Sequence, residues 1–490
     1  MTDAPSGKMV GMYVHQHWPY HRPYCARTWT LEDWRGYAHG LAQLGYNAIL
    51  VWPVLETIPD PPTPSDRAHL ERLGRVIDML HDDFGMRVWL ALCPNVEPIS
   101  DVAAQATYER RHFFAADRRV NPSDPAAVAA MMRRRADVLG PLRRADGVSI
   151  IDSDPGGWPG SSNQEFVDLL VEHRRLLDSL RPGIELVYWM HAGWLGYNRF
   201  YETGVLTFST DEENIDCLQR LMAANPEPWG MANGLPLAER LGITDRVVSF
   251  NYGRIEGEPS FPLTNFGGDL AYEGGAAPGP RGVMGNAQTH CVQLPNTFAF
   301  ARGSRGLPVA DADYVAFAEE LLPGLGRPIV DGWSLLQGSD AAGMRESAAQ
   351  LAAAPDAAIQ PGPLQGLLFG SGRRFLTDLA LQLRMRAGYA DLRAAAGLPP
   401  KEAVRAFAQG AAEWQACHGY ENSWWWGDLD ETLRKIGSPE VDAVLDTQFN
   451  PWTGPPDGIG MTPFQYVAQV LREAEDFTPR LLAALKKAAG

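Results

Sequence analysis

From residue 9 to about residue 306 the chain alternates short apolar runs with longer stretches of helical periodicity. The runs at 9–15, 47–52, 86–92, 148–154, 185–191, 205–210, 246–252 and 282–288 have the length and the β-branched and aromatic content of strands. Between them, 28–44, 65–84, 123–144, 163–180, 213–224, 235–243 and a stretch opening at 294 repeat apolar residues three and four apart, as amphipathic helices do. Thr30 stands where an N-cap belongs, and Gly45 and Gly85 stand where a helix stops. This alternation implies α/β class with a parallel sheet. Eight β/α units in about 300 residues is the usual size of a (β/α)8 TIM barrel. A polar, irregular insertion at 101–120 and a Gly/Pro-rich loop at 257–281 interrupt it. Beyond about residue 311 strand signals vanish, and helical periods occupy 311–322, 340–353, 373–396, 400–418, 430–436 and 462–488. The pattern predicts a barrel over 1–310 followed by an α-helical C-terminal domain over 311–490.

Composition narrows the partners. Lys and Arg number 43 against 59 Asp and Glu, a formal net charge of −16. That argues against nucleic acid and anionic membranes, both of which reward basic patches. No run reaches the roughly 18 apolar residues of a membrane span. The first eleven residues are polar, which predicts no signal peptide and a cytoplasmic location. The five cysteines (25, 93, 217, 291 and 417) are scattered, odd in number and without a CxxC pair, which predicts free thiols in a reducing compartment. Lysine is absent between Lys8 and Lys401, which removes Schiff-base chemistry from the barrel. No GxSxG elbow, Walker loop or GxGxxG turn occurs.

Candidate chemistry lies after the apolar runs. The fourth run ends in Asp152-Ser153-Asp154, followed by a Pro/Gly turn carrying Trp158. Two acids two residues apart share a face if the strand continues, and such pairs drive one pKa up, as a general acid requires. The plainer alternative is that Asp154 caps the next turn. Glu56, Glu97, Asp211, Glu212, Glu213, Glu256 and Glu258 follow other runs, and each has the same plain alternative as a capping or solvated group. Collectively they offer what glycoside hydrolysis needs: one carboxylic acid to protonate the leaving oxygen and a second carboxylate to activate water or attack the sugar. Trp158, Trp189 and Trp194 fall at or after strand ends, where indole faces either stack on sugar rings or fill the core. His15, His17, His191, Asn251 and Asn286 are candidate ligands for sugar hydroxyls. Read instead as metal ligands, His15, His17 and His191 imply a metal-dependent barrel hydrolase or isomerase. A third reading is a barrel that binds sugar without cleaving it. The loop 420–428 (YENSWWWGD) carries Trp425 between two further Trp; it serves as a wall over the mouth or as a contact patch for a partner or a second copy.

The run Asp152-Ser153-Asp154 with Trp158-Pro159-Gly160 resembles the strand-four tip of barrel α-glucuronidases of glycoside hydrolase family 67. An Asp-Ser-Glu-x-x-Pro-Gly segment carries the general acid there. This resemblance implies Asp154 as the acid in place of that Glu, Asp152 as its supporting group, and Asp211 and Glu256 as counterparts of the acids that assist the attacking water. A helical module after the barrel is similar to that group and to hexosaminidase families 20 and 84, whose paired acids at strand four are adjacent; here Ser153 separates them. The expectation is a cytoplasmic glycoside hydrolase acting on a carbohydrate. It would use no metal and no cofactor, with Glu56, Trp158, Trp189, Trp194, Trp425 and the His and Asn residues above lining the sugar site.

Overall fold

A computed structural model describes residues 8–16, 21–111, 117–151, 156–158, 161–190, 210–224, 229–232, 235–251, 281–287, 294–395, 397, 399–418, 427–447 and 477–490. Eight parallel strands close into a barrel: β1 (Met9–His15), β2 (Ala48–Trp52), β3 (Arg87–Leu92), β4 (Gly147–Ile151), β5 (Glu185–Met190), β6 (Trp229–Ala232), β7 (Val247–Asn251) and β8 (Gly282–Ala287). Each pairs with the next, and β8 returns to β1. The expected TIM barrel is therefore present, with one correction. The sixth barrel position, between β5 and β7, is taken by Trp229–Ala232, while the run 205–210 expected there lies, but for Thr210, outside the described residues. The sheet accepts a four-residue strand with no β-branched side chain, because its backbone hydrogen bonds to both neighbours are what the closed barrel requires.

The interior is filled from four walls. Tyr13 of β1 meets Trp189 of β5 edge to face at 5.1 Å, although those strands lie on opposite sides of the barrel. Phe250 of β7 lies 4.5 Å from Trp189, and Trp52 of β2 completes the group at 6.2 Å. Contacts between non-adjacent strands identify these side chains as inward-pointing. Register then carries the assignment to Gly147, Ser149 and Ile151, which pair with Glu185, Val187 and Trp189. Small residues make room for large ones: a Cβ on Gly147 would lie 2.8 Å from the Trp89 ring. At the amino end, Glu185 accepts hydrogen bonds from Arg87, Arg281 and the Trp89 indole at 3.0–3.2 Å.

Helices sheathe the barrel: α1 (Leu31–Leu44), α2 (Pro64–Phe84), α3 (Pro125–Leu139), α4 (Asn163–Leu180), α5 (Asp211–Ala224), α6 (Leu235–Leu241) and α7 (Leu294–Gly303). Local chemistry sets their ends. Thr30 caps α1 in a reciprocal box with Asp33, and Gly45 ends it at φ +95°. Thr63 with Asp66, and Ser162 with Glu165, do the same for α2 and α4.

The C-terminal region is helical as expected: α8 (Asp311–Leu321), α9 (Gly326–Leu335), α10 (Ala341–Ala352), α11 (Gly372–Ala394), α12 (Lys401–His418), α13 (Gly427–Arg434), α14 (Pro439–Leu445) and α15 (Phe477–Ala489). Its apolar residues form one continuous core cluster with those of the barrel. Phe369 packs on Trp29 at 4.6 Å and stacks on Tyr37, both from the barrel side. Cys25, Cys93, Cys217 and Cys417 are free thiols. Among the described residues no helix is long and apolar enough to cross a membrane.

Candidate active site

The carboxyl ends of the strands define one rim. Backbone register puts His15 beside Trp52, Asn286 beside Tyr13 and Asn251 beside Gly285, so these three expected site residues sit on strands at that rim. β4 ends at Ile151, where the sequence enters the acidic tip. Because Ile151 faces inward, strand alternation carried past it would give the inward face to Ser153 and leave the two acids sharing the opposite face, so alternation alone does not aim them into the barrel. Asp152, Asp154, Glu256, His17, His191, Trp194 and Trp425 lie outside the described residues.

Three other expectations meet definite surroundings. Trp189 is 2 % exposed, enclosed by Tyr13, Trp52 and Phe250. This corrects its assignment as a sugar platform, because a ring that stacks on sugar must present an open face. Asp211 does not end a strand. It opens α5, more than half exposed, and its carboxylate accepts a hydrogen bond from Arg240 at 3.0 Å. The neighbouring Glu213 accepts from the Thr210 backbone N–H at 2.8 Å, so this acidic triplet works as a helix N-terminus. The strand-six misplacement had put Asp211 at the mouth. Glu56 is buried in the turn after β2; one carboxylate oxygen accepts from the Cys93 N–H, and Oε2 is buried without a hydrogen-bond partner.

Glu56 belongs to a buried charge cluster between the loops after β2 and β3. Arg135 of α3 donates to the carbonyls of Cys93 and Val96 at 2.8 and 3.1 Å and to His173 Nε2. Burial lowers the Arg135 pKa to about 10, while the charges of Glu56 and Glu97 favour the cation. Burial, reinforced by Arg135, pushes His173 down to about 3, so it is a neutral imidazole whose Nδ1–H donates to the Leu169 carbonyl at 2.7 Å. Burial alone would raise the Glu97 pKa, but Arg134 at 2.7 Å, with Arg135 and Arg118, brings it below the ordinary value.

The insertion after β3, polar and irregular in sequence, ties this rim together. Its Tyr108, fully buried, shares its hydroxyl proton between Gln16 Oε1 and the Pro53 carbonyl at 2.8 and 2.7 Å, joining the loops after β1 and β2. Farther along, Asp117–Arg119 pairs antiparallel with Val96–Pro98. Asn95, also fully buried, donates to the carbonyls of Val120 and Gly157, both at 2.9 Å, and accepts from the Gly157 N–H at 3.1 Å. Gly157 and the half-buried Trp158 follow the acidic tip, so Asn95 links β3 to the acid-bearing loop. The only sequence signal for Asn95 is its place three residues past a strand end. The result is a sector of rim over β1–β4 joined by buried hydrogen bonds. Among the described residues no group of three or more His, Cys, Asp or Glu could hold a metal ion.

No protein-family model and no curated protein matches the chain. Solved structures match at low identity. A point mutant of the O-GlcNAc hydrolase of Thermobaculum terrenum is 10% identical, with 92% of this chain and 100% of that chain covered at a TM-score of 0.44. A GH5_18 variant from Streptomyces cattleya in complex with Manβ1-4GlcNAc is 14% identical, covering 61% and 80% at 0.37. The N-acetylneuraminate lyase of Aliivibrio salmonicida is 14% identical, covering 77% and 97% at 0.32.

Proposed function

We propose that the protein is a glycoside hydrolase that cleaves a small oligosaccharide or glycoside, with Asp154 as the general acid. The observation that carries this reading is the end of β4 at Ile151, on the carboxyl rim of a closed barrel, directly before Asp152-Ser153-Asp154. Barrel enzymes build their sites at that rim from groups just beyond the strands. Asp154 protonates the glycosidic oxygen, and Asp152 tunes it or binds substrate. Glu256, after β7, is the base or nucleophile, since Asp211 is committed to Arg240 and the α5 N-terminus. His15, His17, His191, Asn251, Asn286, Trp158, Trp194 and Trp425 supply the sugar subsite; Glu56, as deeply buried as Trp189, is left out of it.

The decisive experiment is Asp154→Asn assayed on aryl glycosides. Turnover is expected to fall at least about 100-fold, the lower end of what proton transfer by a positioned group contributes, while sugar binding by calorimetry is retained. Near-normal turnover in the variant would remove Asp154 as the acid. Wild-type turnover is expected to survive chelation. Loss in a chelator with recovery on adding a divalent transition metal would favour the metal-dependent reading of His15, His17 and His191 instead.

A further inference from the structure

We infer that Asn95 is a positioning residue for the acid-bearing tip of β4, a role that rests on the glycosidase reading above. Its buried amide spends both kinds of hydrogen-bonding capacity on backbone. With Gly157 it makes a reciprocal two-bond pairing, Gly157 N–H to Oδ1 and Nδ2 to the Gly157 carbonyl, as a neighbouring strand would. Nδ2 also reaches the Val120 carbonyl, and the Asn95 carbonyl accepts from the Val120 N–H at 2.9 Å. One side chain therefore locks the end of β3, the arm of the insertion and the loop after β4 to each other.

Two features make this a matter of placement as well as cohesion. Among the described residues, the other hydrogen bond of the 156–158 stretch is local, from Ser161 N–H to the Trp158 carbonyl at 3.0 Å. Asn95 is thus the polar tie between that stretch and the barrel. Gly157 sits at φ +108°, a conformation glycine adopts without strain, so the paired geometry is set by residue type on both sides. Gly157 is three residues beyond Asp154 in sequence, so the tie anchors one end of the short segment that carries the acid. Neither neighbouring amino acid reproduces the pairing: Asp lacks the two donors, and Gln is one methylene too long.

The test compares Asn95→Ala and Asn95→Asp with the wild type in three readouts: hydrogen exchange of the Gly157 amide, Tm, and kcat against KM on the best aryl glycoside. In Asn95→Ala the Gly157 amide should lose its protection. Its kcat should fall about 100-fold with KM within about threefold, because displacement of a catalytic group by about 1 Å costs on that order. Asn95→Asp keeps the acceptor for the Gly157 N–H but turns a carboxylate oxygen toward the Gly157 and Val120 carbonyls. Gly157 should therefore keep part of its protection while kcat falls at least as far as in Asn95→Ala. Asn95→Ser, which buries no charge, serves if either variant does not fold. Unchanged Gly157 protection in both variants overturns the tie. Lost protection with kcat within about threefold of wild type overturns the positioning role. A fall in kcat that merely tracks the folded fraction read from Tm does the same. Failure of the glycosidase reading shows elsewhere, as activity retained in Asp154→Asn or none in the wild type. The Gly157 exchange then still decides whether Asn95 holds the loop.

Discussion

His173 has a titration consequence that its neighbours enforce. The folded protein holds it neutral, with a pKa of about 3 against an ordinary 6.5. As pH falls below that ordinary value the unfolded chain takes up a proton that the folded chain refuses, so stability is lost with acidification at up to about 1.4 kcal/mol per pH unit. His173→Gln keeps an acceptor for Arg135 and removes the titration. In urea melts, the stability advantage of wild type over this variant should shrink by roughly 2 kcal/mol between pH 7 and pH 5. A gap that does not change with pH would mean that His173 titrates normally. The same neighbourhood explains what sequence could reveal about the site. Acids after strands were visible, but their fates depend on cations from distant segments: Arg134 claims Glu97, and Arg240 claims Asp211. Asn95 was inconspicuous because its partners lie 25 and 62 residues away.

At the scale of elements, strands buried on both faces announce themselves, and β1–β5, β7 and β8 fall within a few residues of their expected positions. β6 did not, because Trp-Gly-Met-Ala lacks the β-branched signal that 205–210 carries. The short helices α9 and α14 escaped for a related reason: ten and seven residues give periodicity too few repeats to read. Glycine contacts between elements are equally silent in sequence. A Cβ on Gly366 would lie 2.3 Å from the Gly36 carbonyl oxygen of α1, so Gly366→Ala should cost roughly 1–3 kcal/mol and lower Tm. Gly140, at φ −51° with nothing within 4 Å of its missing Cβ, should behave oppositely. Gly140→Ala is expected to raise stability by roughly 0.5 kcal/mol, since only the unfolded chain loses freedom. If both variants melt alike, the close approach of α1 to 365–368 is not a constraint.

For the whole molecule, the helical region is part of the barrel's support. Besides Phe369 against Trp29, the Tyr24 hydroxyl after β1 donates to Asp378 of α11 at 2.6 Å, and Cys417 of α12 donates to the same carboxylate at 3.3 Å. Burial, with the Asp378 charge, pushes the Cys417 thiol up to about 12, so it stays protonated as a donor. A chain ending at residue 310 should therefore expose apolar surface, bind a hydrophobic dye and lack a cooperative melt. A sharp transition and native-like near-ultraviolet dichroism in that chain would show instead that the barrel stands alone.

The filled interior has a further bearing on traffic. Tyr13, Trp52, Trp189 and Phe250 occupy the axis, and below them Trp89 and the Glu185 cluster close the amino end. Among the described residues no passage runs along the axis, which leaves the mouth as both entrance and exit. Any small molecule admitted at the carboxyl rim must depart by the same door before the next can enter, and the loops of that rim set the pace of exchange as well as what is let in.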